Sequence, residues 1–341
     1  MTRINLKDLS FAQLDELAAA MGQPKFRAKQ IRDWLYAKNE TDIGAMSNLP
    51  KEFRERLAAT HTAAGLATAA TRTAPDGTIK YLFTLDDGLT VETVYIPEEK
   101  RKTLCVSTQV GCKFQCAFCA TGTMGFSRNL RPSEILNQVI EARRGAGEVT
   151  NVVFMGMGEP LDNFSAVTRA LEILHNPEGF NIGARRITVS TVGLPDQIEQ
   201  LGKTGLKTNL AISLHAADDA VRSRLMPVNK KYPVAAVMKA CSRYPLQHGR
   251  VITMEVILFD GVNDRPEDVQ ALIKALRNVK AKVNLIRFNP VAGAGFRPSS
   301  REKTEQFQKA IMAAGIDCTI RISRGGEIDA ACGQLKAAFS G

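Results

Sequence analysis

The sequence of 341 residues has one tryptophan, five tyrosines and four histidines. So few tryptophans and tyrosines leave no obvious surface for stacking successive bases. No apolar run approaches the ~18 residues that a membrane-crossing helix needs, so no membrane attachment is expected. The first residues, MTRINLKDLSFAQLDELAAAMG, lack the continuous apolar core and small-residue cleavage site of a secretory signal, and their apolar spacing is that of an amphipathic helix. A cytoplasmic location is therefore expected. An even set of cysteines is missing as well. The seven are Cys105, Cys112, Cys116, Cys119, Cys241, Cys318 and Cys332, an odd number that argues against a secreted disulfide framework. Charge is unbalanced, with 45 Lys+Arg against 35 Asp+Glu for a net +10. That excess suits a polyanionic partner, nucleic acid first, although a merely basic soluble protein accounts for it equally well.

What remains is an ordinary globular composition, 44% apolar and 23% charged, long enough to bury a sizeable core. LSFAQLDELAAAMG, KFRAKQIRDWLYAK and KEFRERLAA carry apolar residues at helical spacing and are separated by Gly22-Gln23-Pro24 and Leu49-Pro50. HTAAGLATAATRTAPDG is poor in large apolar residues and reads as a connection. Residues 1–75 are thus expected to form a small helical, basic accessory domain with its linker, suited to a polyanionic partner such as nucleic acid. TIKYLFTL and LTVETVYIP flank Asp86-Asp87-Gly88 as a β-hairpin within 76–100, with Glu92 in its second strand.

From residue 101 to 341, β-rich runs alternate with helical patterns. The runs are TLCVSTQV, VTNVVFMG, RITVSTVG, KTNLAISLH, ITMEVILF, KVNLIRFN and CTIRIS. PSEILNQVIEARR, FSAVTRALEIL, PEDVQALIKALRN and REKTEQFQKAIMAAG lie between them, with Ser133 and Ser300 where N-caps are wanted. Apolar strands joined by helical crossovers imply an α/β fold, a parallel sheet forming a partial (β/α)6 barrel. In such folds reactive groups gather at the carboxyl ends of strands.

The segment GCKFQCAFCATGTMGF sets Cys112, Cys116 and Cys119 at C-x3-C-x2-C spacing. Iron–sulfur cubanes are held by thiolates, usually four. Three leave one iron free to bind a small chelate. Zinc stays open at this point, with His175, His215 or Cys105 as fourth ligand, although no second C-x2-C pair is present. The strand VTNVVFMG runs into GMGEP. Its glycines would let a ligand approach the backbone, and Glu159 could accept an amino group. Ser190, Ser213, His215 and Asn289 recur at strand ends. Singly, capping or core hydrogen bonding explains each; together they would line a polar pocket. Cys241 and Cys318 read as small buried hydrophobes, and Cys332, in ACGQL, taken alone reads as structural.

The cysteine spacing, with Phe118 before the last cysteine, resembles the radical S-adenosylmethionine superfamily. Nearly the whole chain resembles its RlmN/Cfr-like family of rRNA adenine methyltransferases. The resemblance is carried by GQPKFRAKQI, TLCVSTQVGCKFQCAFCATGTMGFSRNL, VVFMGMGEPLDN, ITVSTVG, AISLHA, LFDGVND, RFNP and EIDAACGQL. It implies a radical S-adenosylmethionine barrel with a 4Fe-4S cluster on Cys112, Cys116 and Cys119, and S-adenosylmethionine held by Gly158, Glu159, Ser190, Ser213, Leu214, His215 and Asn289. It also implies a methyl group carried on Cys332, Glu92 as general base and Cys105 as the thiol that releases the product. The implied substrates are an adenosine of 23S rRNA near the peptidyl transferase centre and the tRNA adenosine beside the anticodon, methylated at C2, which makes RNA the partner of the accessory domain. An electron-donating reductant protein and a monomeric enzyme are expected. Methylation at C8, and a non-catalytic iron–sulfur RNA-binding protein, are the alternatives.

Overall fold

The structure is a computed structural model that describes residues 3–291, 293–321, 324–331 and 333–335. Cys332 therefore lies outside the described residues. Strand β1 (Ile4–Asn5) pairs in parallel with β2 (His61–Thr62), and helices α1 (Phe11–Ala20), α2 (Phe26–Arg32) and α3 (Lys51–Thr60) lie between them. A capping box starts α1. Ser10 Oγ accepts from the Gln13 amide at 3.0 Å, and Gln13 Oε1 accepts from the Ser10 amide at 2.8 Å.

The main sheet follows. It begins with β3 (Ala67–Thr73), β4 (Ile79–Thr84), β5 (Thr90–Pro97) and β6 (Lys102–Cys105), neighbours that run antiparallel. A separate two-stranded ribbon joins β7 (Gln109–Gly111) to β8 (Phe126–Asn129) and encloses a short helix α4 (Ala120–Thr123). Alternation then takes over with α5 (Pro132–Ala146), β9 (Asn151–Phe154), α6 (Phe164–His175), β10 (Ile187–Thr191), α7 (Pro195–Lys203) and β11 (Asn209–Ser213). Next come α8 (Asp219–Leu225), α9 (Val234–Arg243), β12 (Ile252–Leu258), α10 (Pro266–Leu276), β13 (Ala281–Arg287), α11 (Arg301–Ala313) and β14 (Cys318–Arg321).

The described sheet has ten strands in the order β14-β13-β12-β11-β10-β9-β6-β5-β4-β3, parallel from β6 to β14. Six strand–helix units and the closing strand β14 make the expected partial barrel. Its curl is visible in one contact. Arg321 at the end of β14 reaches Met155 Sδ, just past β9, at 3.9 Å across the concave face, although these strands stand five places apart.

Four local readings change. Residues 67–73, expected in a connection, form β3. Its alanines and threonines are mostly exposed because it is an edge strand, so no alternation of large apolar residues marks it. TLCVSTQV is not one strand. It leaves the sheet after Cys105, and only its last residues pair again, in the ribbon with β8. Ser133 is no N-cap. Pro132 opens α5 after Arg131, and the Ser133 amide donates to Asp8 Oδ1 at 2.8 Å from the accessory module. Ser300 does cap α11, accepting from the Lys303 amide at 3.2 Å. Finally, Gly156 and Gly158 are required by the protein's own packing as well as by any ligand. A Cβ on Gly158 (φ +94°) would meet Gln109 Cβ at 2.5 Å, and one on Gly156 would meet Val106 O at 2.7 Å.

The accessory module is fastened to the barrel's outer helices. Arg169 on α6 donates to Gln13 Oε1 at 3.1 Å, Asn137 on α5 donates to Ala64 O at 3.0 Å, and Tyr36 packs on Phe180 with ring centroids 5.4 Å apart. One continuous apolar core runs through both parts.

Candidate active site at the barrel mouth

Strand register brings the polar residues together. Paired residues share a face of a sheet, as do residues two apart on one strand. Lys80 pairs with Val94 and Val94 with Cys105, while Glu92 stands two residues from Val94. Cys105 pairs with Val153 and Val153 with Thr188, two residues from Ser190. Ser190 pairs with Ala211, two residues from Ser213, and Ser213 pairs with Glu255. Lys80, Glu92, Cys105, Ser190, Ser213 and Glu255 therefore occupy a single face. Arg321 joins them, because Glu255 pairs with Asn284 and Asn284 with Thr319.

At the antiparallel end, Glu92 is fully buried and forms an ion pair with Lys80, Nζ to Oε1 at 3.2 Å. Ser107 Oγ donates to Glu92 O at 2.5 Å and fixes the strand there. Glu92 therefore does not face solvent. Cys105 is 8% exposed.

At the parallel end, Glu159 ends the loop after β9. Its carboxylate accepts the Leu161 amide at 3.0 Å and the Val192 amide at 2.8 Å. Burial raises its pKa to about 7, while Thr191 and these amides act the other way. A buried carboxyl so placed gains its charge readily when a cation such as an ammonium group arrives. Ser190 Oγ lies 3.0 Å from Glu255 Oε2 and 3.4 Å from Ser213 Oγ. Leu214 and His215 have little backbone to offer a ligand. Leu214 O accepts Arg222 Nε at 3.1 Å, and His215 O accepts Asn263 Nδ2 at 2.7 Å. His215 Nδ1 accepts the Ile257 amide at 3.2 Å, so the ring proton sits on Nε2. Burial, then the nearby Arg222, lowers its pKa to about 3, which keeps the ring neutral. Asn289 is half-buried two residues past β13.

The cysteine loop follows β7. Cys112 N donates to Gly125 O at 2.7 Å, Ala117 N to Leu225 O at 2.9 Å, and Cys119 precedes α4 as its N-cap. Burial raises the Cys112 thiol to about 12 and the Cys116 thiol well above its usual value, and the neighbouring cysteines push in the same direction. The three sulfurs thus sit close enough to feel one another. Three thiolates on this loop would each take one iron of a cubane and leave the fourth iron open to a chelating ligand.

Sequence reasoning missed Lys80, Glu255 and Arg222. Arg222, on α8, is the largest fully buried side chain described. It donates to Leu214 O, Val192 O at 2.6 Å and Asn229 Oδ1 at 2.8 Å, and among the described residues no carboxylate lies within ion-pair distance. Burial lowers its pKa to about 10, and the main opposing charge is Cys116. A buried cation beside this loop suits an anionic cluster.

The loop leading to Cys332 closes the mouth. Gly325 N donates to Asp76 Oδ2 at 3.2 Å, Arg324 to Pro97 O at 3.2 Å, and Lys80 Nζ to Asp329 O at 3.3 Å. On the other side, Gly333 O accepts the Ala120 amide at 2.7 Å and Leu335 O accepts Thr121 Oγ1 at 2.6 Å. The neighbours of Cys332 thus span from the Glu92 strand to the cysteine loop. Cys241 and Cys318 are buried and away from these contacts.

Comparison with known proteins agrees. Residues 106–276 match the radical SAM superfamily, and residues 4–62 match the ribosomal RNA large subunit methyltransferase N-terminal domain. The dual-specificity RNA methyltransferase RlmN of Geobacter sulfurreducens is 45% identical over 98% of this chain and 92% of its own. That of Syntrophobacter fumaroxidans is 44% identical over 99% of this chain and 100% of its own. The crystal structure of a radical SAM methyltransferase from Sphaerobacter thermophilus superposes with a TM-score of 0.93 at 45% identity, covering 98% of this chain and 100% of that one. Such enzymes work with a 4Fe-4S cluster and S-adenosylmethionine, and this chain belongs to the RlmN family of radical S-adenosylmethionine RNA methyltransferases.

Proposed function

We propose that this protein methylates C2 of an adenosine in 23S rRNA, near the peptidyl transferase centre, and of the adenosine beside the anticodon in tRNA. The observation that carries the proposal is the shared sheet face, where buried Glu92 and Cys105 stand beside Lys80, whose ammonium donates to Asp329 O in the loop leading to Cys332. Adenine C2 lies between two ring nitrogens and has no lone pair with which to attack a methyl donor. A route through carbon radicals avoids that obstacle.

Cys112, Cys116 and Cys119 would hold the cluster. When bound, the cluster supplies the electron that splits S-adenosylmethionine. Glu159 binds the amino group of S-adenosylmethionine, whose remainder lies against Gly158, Ser190, Ser213, Leu214, His215 and Asn289. Leu214 is fully buried with its carbonyl engaged, and His215 would present its Nε2–H. Cys332 carries the methyl-derived carbon to the base. Glu92 takes the C2 proton, and the Cys105 thiolate attacks the Cys332 sulfur to form a disulfide and free the methylated RNA. A reductant protein returns both thiols. The target base must be unpaired to reach the mouth, and the +10 charge favours the phosphates around it. The enzyme acts as a monomer in the cytoplasm. Among the described residues no helix is long and apolar enough to cross a membrane.

The test is anaerobic reconstitution with S-adenosylmethionine, a reductant and unmodified 23S rRNA or tRNA, followed by mass spectrometry of the nucleosides. 2-Methyladenosine is expected from both RNAs. 8-Methyladenosine would overturn the C2 assignment. Neither product, from protein with an intact cluster, would overturn the methyltransferase reading.

A further inference from the structure

Lys80 and Glu92 face each other across the β4–β5 hairpin. Lys80 is 1% exposed and Glu92 0%, and their charged atoms lie 3.2 Å apart. An ion pair so deeply withdrawn from water does not stabilise a fold more than well-packed apolar residues would, so its retention asks for another reason. The same ammonium has a second partner, the carbonyl of Asp329, at 3.3 Å. Asp329 has a left-handed backbone (φ +52°) and stands three residues before Cys332. The loop around it is held to the same hairpin region, through Gly325 to Asp76 and Arg324 to Pro97.

We propose that Lys80 is a positioning residue for product release: one ammonium grips both the Glu92 carboxylate and the loop that carries Cys332, and so sets the base against the carbon that Cys332 delivers. This rests on Glu92 being the base and Cys332 the carbon carrier. In the release step the C2–H bond breaks and its proton goes to Glu92. The Cys105 thiolate forms an S–S bond with Cys332 while the S–C bond breaks. The electron pair of that bond stays on the methylene carbon, which takes a proton and becomes the methyl group. The Cys105 thiolate and the Cys332 thioether sulfur are each oxidised by one electron and the carbon is reduced by two, while the electron left unpaired by the radical addition to adenine would return to the cluster that supplied it. Lys80 neither gives nor takes an atom. It keeps Glu92 an anion before the proton arrives, and it keeps the loop seated while the bonds change.

The role separates early steps from late ones. Loading a methyl group onto Cys332 needs no proton from adenine, whereas release does. The experiment uses the reconstituted full chain with 23S rRNA and compares Lys80→Met, Lys80→Arg and Glu92→Gln. Intact-protein mass spectrometry follows Cys332 methylation, denaturing gels follow the protein–RNA adduct, and nucleoside analysis follows product. Lys80→Met should load Cys332 like the parent, accumulate adduct as Glu92→Gln does, and lose product by roughly 100-fold, the usual worth of a positioned base. Lys80→Arg, which keeps the charge, should restore most of the product. Product within about threefold of the parent in Lys80→Met, while Glu92→Gln is arrested, overturns the role of Lys80 alone. Loss of Cys332 loading in Lys80→Met without rescue by Lys80→Arg also overturns it, in favour of a purely structural lysine. Normal product from Glu92→Gln instead removes the base assignment on which the proposal stands.

Discussion

The accessory module and the antiparallel end of the sheet each bury a lysine, Lys7 at 0% exposure and Lys80 at 1%. Lys7 sits at the seam with α5 and donates to two carbonyls, Ala63 O at 2.5 Å and Ala64 O at 3.3 Å. Burial lowers its pKa to about 7, although Glu141 and Asp8 pull the other way. Lys80 faces a carboxylate directly. Where the fold needs only a seam filled and two carbonyls satisfied, a lysine ready to shed its proton suffices. At Glu92, the base proposed above, the fold supplies the opposite charge. Glu159 is a third case, a buried carboxyl held by two amides and suited to a cation from the ligand.

Removing one member of the Lys80 pair should have the largest effect. Glu92→Leu strands a buried ammonium and should cost about 3–5 kcal/mol in chemical denaturation of the reconstituted protein. The double variant Lys80→Met with Glu92→Leu should recover at least half of that loss. A cost below about 1 kcal/mol would mean that the Lys80 ammonium does not depend on Glu92, and the contrast would collapse.

The seam is tested by pH. The folded pKa of Lys7, about 7, lies below its unfolded value of 10.5. The unfolded chain therefore binds more protons between these values, and this residue's share of stability rises as pH rises through that window. Relative to Lys7→Met, the parent should gain on the order of 3 kcal/mol between pH 7 and pH 10. A flat difference would place Lys7 in contact with water. The smallest effect belongs to Glu159→Gln. It should weaken S-adenosylmethionine binding by roughly 10- to 100-fold in calorimetry, leaving the cluster's absorption unchanged. Unchanged affinity would take the amino-group site away from Glu159.

Local signals were legible in the sequence. β-Branched runs and helical spacing marked the parallel half of the sheet, and Cys112, Cys116 and Cys119 announced themselves by spacing alone. Residues defined by distant partners were not legible. Arg222 in DDAVRSRLMP looks like a solvent-facing arginine, because the carbonyls of Val192 and Leu214 that receive it lie elsewhere in the chain. Glu255 in ITMEVILF has the same handicap, since Ser190 is 65 residues away. β3 escaped notice because an exposed edge needs no large side chains. Lys80 was within reach. The turn at Asp86-Asp87-Gly88 fixes a register in which Leu82 opposes Glu92 and Lys80 opposes Val94, so the diagonal pair could have been counted from the turn.

The strand order of the sheet, β14 to β3, is the chain order read backwards, so each strand joins the one that precedes it in the sheet. Each pairing closes only the crossover between consecutive strands, whose entropy grows slowly with length, and the sheet can zip up step by step. The contacts that finish the mouth are different. Lys80 to Asp329 and Asp76 to Gly325 each span 249 residues and amount to single hydrogen bonds. They are expected to form last in folding and to open first in hydrogen exchange, with the strands still paired. A bulky RNA can therefore meet a mouth that loosens on its own timescale while the barrel beneath it stays whole.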